Sequence, residues 1–154
     1  MSTVDTPARP MKRAGTIDPK RLDPHHCHHN SEDGMDFPVS VVIPTYNRPI
    51  ELAQTVRSVL GQVDVEVEIV IVDDGDSRGA LGPVQEDPRV RVVVTPQPGS
   101  GEGAARNAGL ETVAAAWVAF CDDDDLWHPR KLATQLATAD GADWMTCGSA
   151  AFWV

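Results

Sequence analysis

The chain has 154 residues, of which 42% are hydrophobic, and its 13 Lys and Arg against 23 Asp and Glu give a net charge of −10. That length fits one domain with an ordinary core, whereas the negative charge, without a local basic patch, argues against binding to nucleic acid or to an anionic membrane. The sequence also predicts neither a transmembrane helix, which needs about 20 apolar residues, nor a secretory signal, so we expect a cytoplasmic protein.

Residues 1–36 predict a disordered N-terminal arm. They hold several prolines, many charges and hardly any large apolar side chain, so burial cannot offset the entropy lost on ordering. The arm contains the run HHCHH at 25–29, whose imidazole and thiolate groups are suitable transition-metal ligands. Because no second cluster follows at zinc-finger spacing, adventitious binding is favoured over a structural metal site. The cysteines, Cys27, Cys121 and Cys147, are too few and too scattered for a disulfide framework, and we expect free thiols.

Residues 37–154 predict one domain in which strands alternate with helices. The β-branched run Val39–Thr45 predicts a buried strand, and Asn47-Arg-Pro49 then offers a helix cap followed by proline at a first helical position. Along the rest of the chain we predict, in order, a helix at 50–62, strands at 65–72 and 89–95, a helix at 103–115, a strand at 116–121, a helix at 129–139 and the beginning of a fifth strand at 143–147.

This alternation indicates the α/β class, with a mostly parallel sheet, right-handed crossovers and helices on both faces. Ligands of such sheets bind beyond the carboxyl ends of the strands. Polar side chains follow three of the predicted strands at those ends: Thr45, Tyr46 and Asn47 after the first, Asp73 and Asp74 after the second, and Asp122 to Asp125 after the fourth. Solvated turns would be expected at both ends of the sheet, so this one-sided distribution favours a binding site over turns that merely face water.

The run FCDDDDLWHP, residues 120–129, places four carboxylates side by side. Neighbouring carboxylates repel one another, so a cation is expected among them. Carboxylates without a Cys–His set at metal spacing suit Mg²⁺ or Mn²⁺, and Mg²⁺ is usually shared between one or two carboxylates and substrate phosphates. A cation held by Asp122 or Asp124 would therefore allow an acidic rim to bind a diphosphate. Arg106 could add a second positive charge there, with a helix-surface arginine as an equal alternative.

Four segments in unbroken order resemble the nucleotide-sugar-binding half of the family 2 glycosyltransferases, which are inverting enzymes with the GT-A fold. The segments are VSVVIPTYNRP, VEIVIVDDGDS, GEGAARNAGL and WVAFCDDDDLWHPRKL, and the resemblance extends over about residues 39–150. The resemblance implies a fold of the GT-A (nucleotide-diphospho-sugar transferase) type. It further implies a nucleotide-diphospho-sugar donor, most often a UDP-sugar, and Mg²⁺ or Mn²⁺ as the cofactor.

The resemblance also implies roles for individual residues, by their position in those motifs. For the nucleoside end of the donor it implies Pro44, Thr45 and Tyr46 as lining of the pocket, Asp74 as the contact to the base, Asp73 as support for the loop and Arg106 close to the nucleotide. For the DXD-like motif it implies Asp124 as the main metal ligand, Asp122 on the metal or its waters and Asp123 towards the ribose.

Three neighbours of that motif have weaker claims to the site. Asp125 could instead cap the helix predicted from Pro129, Trp127 is favoured as a packing residue over a sugar contact, and His128 is favoured as part of the helix start over a catalytic group.

The general base and the acceptor-binding region of the family lie well beyond the aspartate run, whereas this sequence ends about 30 residues after Asp124. We therefore expect a donor-binding half that lacks the C-terminal acceptor half, with no general base assigned and the acceptor unknown. Its apolar edge near 144–153 could self-associate or bind a partner. Two alternatives remain: a catalytically inert nucleotide-sugar or divalent-cation binding module, and a flavodoxin-like phosphoacceptor domain, which would leave Thr45-Tyr46-Asn47 and 101–109 without a task.

Overall fold

The computed structural model describes residues 39–75, 82–113, 115–139 and 142–148. The predicted arm at 1–36, with its HHCHH run, lies outside the described residues. The strands are β1 (Val39–Thr45), β2 (Val67–Asp73), β3 (Val90–Val94) and β4 (Trp117–Phe120), and the α-helices are α1 (Pro49–Leu60), α2 (Glu102–Leu110) and α3 (Lys131–Ala137), with a 3₁₀ turn at Gly82–Glu86. In these ranges no helix is long and apolar enough to cross a membrane.

The strands form one parallel sheet in the order β3-β2-β1-β4. β1 pairs with β2 from Val39↔Val67 to Thr45↔Asp73 and, on its other side, with β4 from Val39↔Trp117. All seven residues of β1 are buried, as expected for a central strand covered on both faces, whose sequence is a nearly continuous apolar run. The predicted α/β class with a mostly parallel sheet is confirmed.

One face of the sheet is covered by α1 and α3. Successive side chains of a strand point to opposite faces, so Val41 and Ile43 of β1 share one apolar layer. α1 contributes Leu52 and Val56 to that layer, both completely buried, and α3 contributes Leu132. The apolar residues of α1 therefore lie on one face of the helix and hold α1 against the sheet, shortly after the end of β1.

The opposite face of the sheet is covered by α2. Val42 of β1 and Val70 and Val72 of β2 pack there against the buried Ala105. α2 comes close to the sheet because Gly109 has no side chain: a Cβ at this position would lie 2.5 Å from Val42 Cγ1 and 3.0 Å from Val72 Cγ2. The prediction of helices on both faces is confirmed.

α2 and α3 are each four residues shorter than the sequence predicts, whereas α1 differs from its predicted bounds by only one or two residues at each end. α2 ends at Leu110 rather than at 115, because the backbone amide of Thr112 donates to the Gly109 carbonyl at 3.0 Å and its hydroxyl donates to the same carbonyl at 2.8 Å. Such local bonds compete with the helical pattern. α3 begins at Lys131 rather than at Pro129, since the chain first makes a turn closed by the Lys131 amide and the His128 carbonyl at 2.9 Å.

The predicted fifth strand at 143–147 is wrong, because the described residues 142–148 contain no strand. A strand is stable only where its backbone groups find a neighbouring strand. The Ala142 amide instead donates to the Ala139 carbonyl at 2.8 Å, and Trp144 is 75% exposed. The apolar residues of this segment therefore lack the packing surface that a strand in the sheet would have.

Candidate functional site

A cavity of about 610 Å³ opens at the carboxyl ends of the strands. The end of β1, the end of β2, the segment that leads into α2 and the loop after β4 all contribute to its wall. Its lining residues are Pro44, Thr45, Tyr46, Arg48, Asp74, Gly99, Gly101, Glu102, Ala105, Asp122, Asp123 and Asp124. Polar residues that lie far apart in the sequence thus meet at one rim of the sheet, as parallel topology requires.

Of the residues to which the family resemblance gives a role, all but Asp73 and Arg106 line this cavity. Asp73 is the buried last residue of β2, and its carboxylate accepts a hydrogen bond from the Gly75 amide at 2.9 Å. Arg106 lies beside the cavity on α2, where its guanidinium donates to Asp122 at 2.7 Å and pairs with Glu102. Arg106 therefore does not line the cavity itself but pairs with two residues that do, Asp122 and Glu102.

Asp74 holds the loop that leads from β3 into α2. One carboxylate oxygen, Oδ1, accepts from the Thr95 hydroxyl at 2.6 Å and from the Ser100 amide at 3.0 Å, and the other, Oδ2, accepts from the Gly101 amide at 2.7 Å. Gly101 has φ +92°, a conformation that favours glycine. A carboxylate has about four acceptor positions, so Asp74 keeps room for one more donor on the cavity side.

These contacts also decide the charge of Asp74. Burial alone would raise the pKa of this carboxyl, but the hydrogen bonds from Thr95, Gly101 and Ser100 together outweigh burial and lower the pKa below its usual value of 3.8. Asp74 is therefore ionised at neutral pH although it is almost completely buried.

Asp123 joins the loop after β4 to β1 and α1. Its Oδ2 accepts from the Thr45 hydroxyl at 2.8 Å, and its backbone carbonyl accepts from the buried Thr55 hydroxyl of α1 at 2.9 Å. The side chain is largely buried, and Oδ1 lies 3.4 Å from Nη1 of Arg48. Asp123 therefore fixes the position of the whole aspartate run relative to the sheet.

Asp122 and Asp124 are the outward members of the run, with side chains 53% and 55% exposed. Each carboxylate pairs with an arginine from another part of the chain. Asp122 Oδ1 accepts from Arg106 Nη2 at 2.7 Å, and Asp124 Oδ2 accepts from Arg48 Nη1 at 2.8 Å. The expectation that this acidic run needs positive partners is thus met in part by two guanidinium groups.

Asp125 does not line the cavity. Partial burial of its carboxyl, and after that the charges of Asp122 and Asp124, raise the pKa of Asp125. The residue does not cap α3, whose first turn has Arg130 at the N-cap position without a side-chain cap. Repulsion within the run therefore persists in spite of the two arginines.

The residues around the run have structural roles. Trp127 is buried in the core, as predicted, and Lys131 Nζ lies 3.8 Å from its ring centre. His128 Nδ1 accepts from the Arg130 amide at 3.2 Å at the start of α3. Burial, and then the charge of Asp125, raises the pKa of the Cys121 thiol to about 12, so the thiol is neutral and unreactive at neutral pH.

Sequence reasoning missed Arg48 and Glu102, which both line the cavity. Arg48 stands between Asn47 and Pro49, where the sequence pattern predicts a helix start and gives Arg48 itself no role. The available signal is a charged side chain three residues after a strand's carboxyl end, since parallel sheets place ligand contacts in the loops at that end. Glu102 is the first residue of α2, and its place at the cavity follows from the packing of that helix on β1 and β2.

The donor set fits a divalent cation that is shared with a ligand. Across the described ranges, no group of three or more His, Cys, Asp and Glu side chains is placed to hold a metal ion by itself. Asp122 and Asp124 nevertheless offer exposed carboxylate oxygens at the cavity, and Mg²⁺ characteristically takes one or two carboxylates and completes its shell with phosphates and waters. These two residues are therefore suitable ligands for a cation that arrives with a phosphorylated molecule.

Comparison with known proteins defines the class. The model of the glycosyl transferase family 2 matches residues 40–151, and the chain belongs to this family. It is 40% identical over 97 residues to an uncharacterized glycosyltransferase of Nostoc sp., covering 61% of this chain and 30% of that protein. It is 37% identical over 106 residues to the succinoglycan biosynthesis protein ExoO of Rhizobium meliloti, covering 68% and 30%.

Solved structures place the fold in the same class. The crystal structure of S. aureus TarS 1–349 in complex with UDP matches with a TM-score of 0.60 and 26% identity, over 67% of this chain and 32% of that chain. The described sheet and helices therefore have the GT-A type of fold that the sequence motifs imply. The chain spans about a third of the length of each of these three proteins.

Proposed function

We propose that this chain is the donor-binding part of an inverting glycosyltransferase that binds a nucleotide-diphospho-sugar, with Mg²⁺ or Mn²⁺, in the cavity at the carboxyl ends of the strands. The observation that carries the proposal is the arrangement of the aspartate run, in which Asp123 is bonded into the fold while Asp122 and Asp124 remain exposed at the cavity. Membership of the glycosyl transferase family 2 and the UDP complex of TarS support it.

The size and charge of the cavity support this ligand class. About 610 Å³ falls within the range of roughly 300–1,000 Å³ that is usual for small-molecule sites. Carboxylates outnumber guanidinium groups at its rim: Asp74, Glu102, Asp122, Asp123 and Asp124 against Arg48, with Arg106 beside it. Like charges would disfavour a diphosphate there, so a divalent cation is required for binding.

The surroundings of the residues at the nucleoside end support their proposed roles. Pro44, Thr45 and Tyr46 would form the wall for the nucleoside, and Tyr46, a residue that is 56% exposed, is available to stack on a base. Asp74 keeps one acceptor position for the base, while Asp73 supports the turn after β2.

On the phosphate side, Asp124 and Asp122 would hold the cation, Asp123 would face the ribose and Arg106 would lie near the nucleotide. The bound cation would stabilise the negative charge that grows on the leaving diphosphate.

The transfer step itself needs groups that we do not assign in this chain. Inverting transfer requires a carboxylate that takes the proton of the acceptor hydroxyl as the sugar is displaced. Positioned general-base catalysis contributes about 10²–10⁴-fold, and orientation of the acceptor adds a further large factor. We therefore expect this chain alone to bind donor without useful transfer. The cytoplasmic location and self-association at the edge near 144–153 stay predictions.

Calorimetric titration of nucleoside diphosphates into the chain tests this proposal. UDP should bind in the presence of Mn²⁺ or Mg²⁺ and not in EDTA, because without the cation the diphosphate meets mainly carboxylates. Asp124→Ala should abolish binding, whereas Asp125→Ala, the matched control in the same run, should bind nearly as well as the wild-type chain. Equal losses in both variants would contradict the proposed assignment of ligands, and cation-independent binding would contradict the role of the metal. GDP and ADP in parallel titrations identify the base.

A further inference from the structure

Arg48 occupies a fixed place at the cavity with a guanidinium group that can move. Its backbone precedes Pro49, and its carbonyl accepts the Leu52 amide of the first turn of α1 at 3.0 Å. The side chain is 53% exposed, and Nη1 donates to Asp124 Oδ2 at 2.8 Å while lying 3.4 Å from Asp123 Oδ1. A long exposed side chain on a rigid backbone can exchange one partner for another within its reach.

The partner of Arg48 is the carboxylate that we propose as the main metal ligand. Asp124 Oδ2 faces a guanidinium at hydrogen-bond distance, and a divalent cation on the same oxygen would stand next to that positive charge. Two cations repel at such a distance. Binding of Mg²⁺ or Mn²⁺ to Asp124 and retention of the Arg48 contact are therefore in competition.

Arg106 differs from Arg48 in this respect. Its guanidinium pairs with both Asp122 and Glu102, lies 5.6 Å from the ring centre of Phe120, and has its Nε buried. Within the described part of the chain, the guanidinium of Arg48 bonds only to Asp123 and Asp124. Of the two arginines, Arg48 is the one that a cation can release.

We propose, on the basis of the function proposed above, that Arg48 is a positioning residue that competes with the cation for Asp124 and, once displaced, binds the phosphate oxygens of the donor. Asp123 is held by Thr45 and keeps the guanidinium at the rim after displacement. Arginine suits phosphate because its planar donors bind two oxygens at once. The cation and the diphosphate then favour one another's binding through Arg48 as well as through direct contact.

The proposal predicts that one variant changes the affinity for Mn²⁺ and the affinity for UDP in opposite directions. Arg48→Ala removes the competitor, so Mn²⁺ alone should bind several-fold more tightly than to the wild-type chain. The same variant loses a charge-assisted bond to phosphate, so UDP in the presence of saturating Mn²⁺ should bind about 10-fold or more weakly. Arg48→Lys retains the charge and should leave Mn²⁺ affinity near that of the wild-type chain, with an intermediate loss for UDP.

The experiment measures free Mn²⁺ by electron paramagnetic resonance and UDP binding by calorimetry on the complete chain. Arg130→Ala is the matched control, because the Arg130 side chain is also exposed, at 63% against 53% for Arg48, and its Nη1 pairs with Asp64 Oδ2 at 2.9 Å. Neither Arg130 nor Asp64 lines the cavity. The control variant should change neither affinity. Melting curves verify that the variants are folded. We expect them to fold, because the substituted side chains are exposed.

Two results would overturn the proposal. If Arg48→Ala weakens both Mn²⁺ and UDP, or leaves Mn²⁺ affinity unchanged, Arg48 does not compete for Asp124, although the proposed function still stands if the wild-type chain binds UDP with Mn²⁺. If the wild-type chain binds no nucleoside diphosphate with Mn²⁺, the proposed function is wrong and the inference about Arg48 is wrong with it.

Discussion

The hydroxyl of Thr45 donates to the carboxylate of Asp123 at 2.8 Å, and this bond connects the carboxyl end of β1 to the loop after β4. The two residues are 78 positions apart in the sequence, and both are largely buried. Because Asp123 stands between Asp122 and Asp124, the same bond sets the direction in which those two carboxylates face the cavity. The geometry of the candidate metal ligands thus depends on a residue of the central strand.

Thr45→Val tests this connection. Valine has nearly the shape of threonine but leaves Oδ2 of the buried Asp123 carboxylate without its donor, so the free energy of unfolding should fall by about 1–3 kcal/mol. Thr45→Ser keeps the hydroxyl and is the control. Urea denaturation measures both, and cation-dependent UDP binding should weaken in Thr45→Val. A serine variant as unstable as the valine variant would show that packing, rather than the bond, matters.

Asp74→Asn should destabilise the protein in a manner that depends on pH. The pKa of Asp74 is lowered in the folded chain, so its ionised form stabilises the fold above the unfolded pKa, about 3.8, and this contribution disappears as pH falls through the still lower folded pKa. Asparagine would also place an NH₂ donor against the donors Thr95, Ser100 and Gly101. The loss in Asp74→Asn at pH 7 should be about 1.5–3 kcal/mol.

Urea midpoints measured from pH 7 down to pH 3 check this pH dependence. The difference between wild-type Asp74 and the Asn variant should shrink as the medium becomes acidic. A difference that stays constant over the whole range would mean that the charge of Asp74 does not contribute to stability.

Gly109→Ala should destabilise the packing of α2 on the sheet. The added methyl group would lie 2.5 Å from Val42 Cγ1 and 3.0 Å from Val72 Cγ2, and overpacking of this kind costs about 1–3 kcal/mol, which outweighs the gain in helix propensity of up to about 1 kcal/mol. Gly103→Ala, on the same helix with nothing within 4 Å of its Cβ position, should be neutral or stabilising. Equal thermal shifts in the two variants would argue against the close helix–sheet contact.

Removal of residues 1–36 should leave the melting temperature nearly unchanged. Both described apolar layers are formed by residues from Val39 onward, and the composition of the arm predicts no contribution to a core. Calorimetric scans of the complete and shortened chains compare the two. A large decrease in the melting temperature would show that the arm packs on the domain.

The four strands of the described sheet and the meeting of polar residues at one rim could be predicted from the sequence because they depend on local pattern and on topology. β1 is a compact β-branched run and was predicted with its observed bounds. The convergence of Thr45, Asp74 and Asp123 follows from parallel strands whose carboxyl ends share one rim. Neither result needs knowledge of individual side-chain contacts.

The errors arise where long-range contacts decide the structure. The end of α2 depends on how Thr112 bonds to Gly109, and the absence of a strand at 143–147 depends on the lack of a neighbour in the described sheet. Arg48 was missed because its partner Asp124 is 76 positions away. A propensity-based interpretation of Asn47-Arg-Pro49 explains the helix start at Pro49, but the N-cap position is held by Arg48 without a side-chain cap. That interpretation contains no information on the distant carboxylate.

The measurement that most directly tests the position of the donor site is the change in backbone amide NMR shifts when UDP and Mg²⁺ are added to the chain. Shifts should concentrate at the cavity, on Tyr46, Gly99, Gly101 and Glu102, and should be small at 63–66, which precede β2 at the opposite end of the sheet. EDTA should reverse them. Changes concentrated at 63–66, or changes that persist in EDTA, would contradict a metal-dependent nucleotide site at the carboxyl ends of the strands.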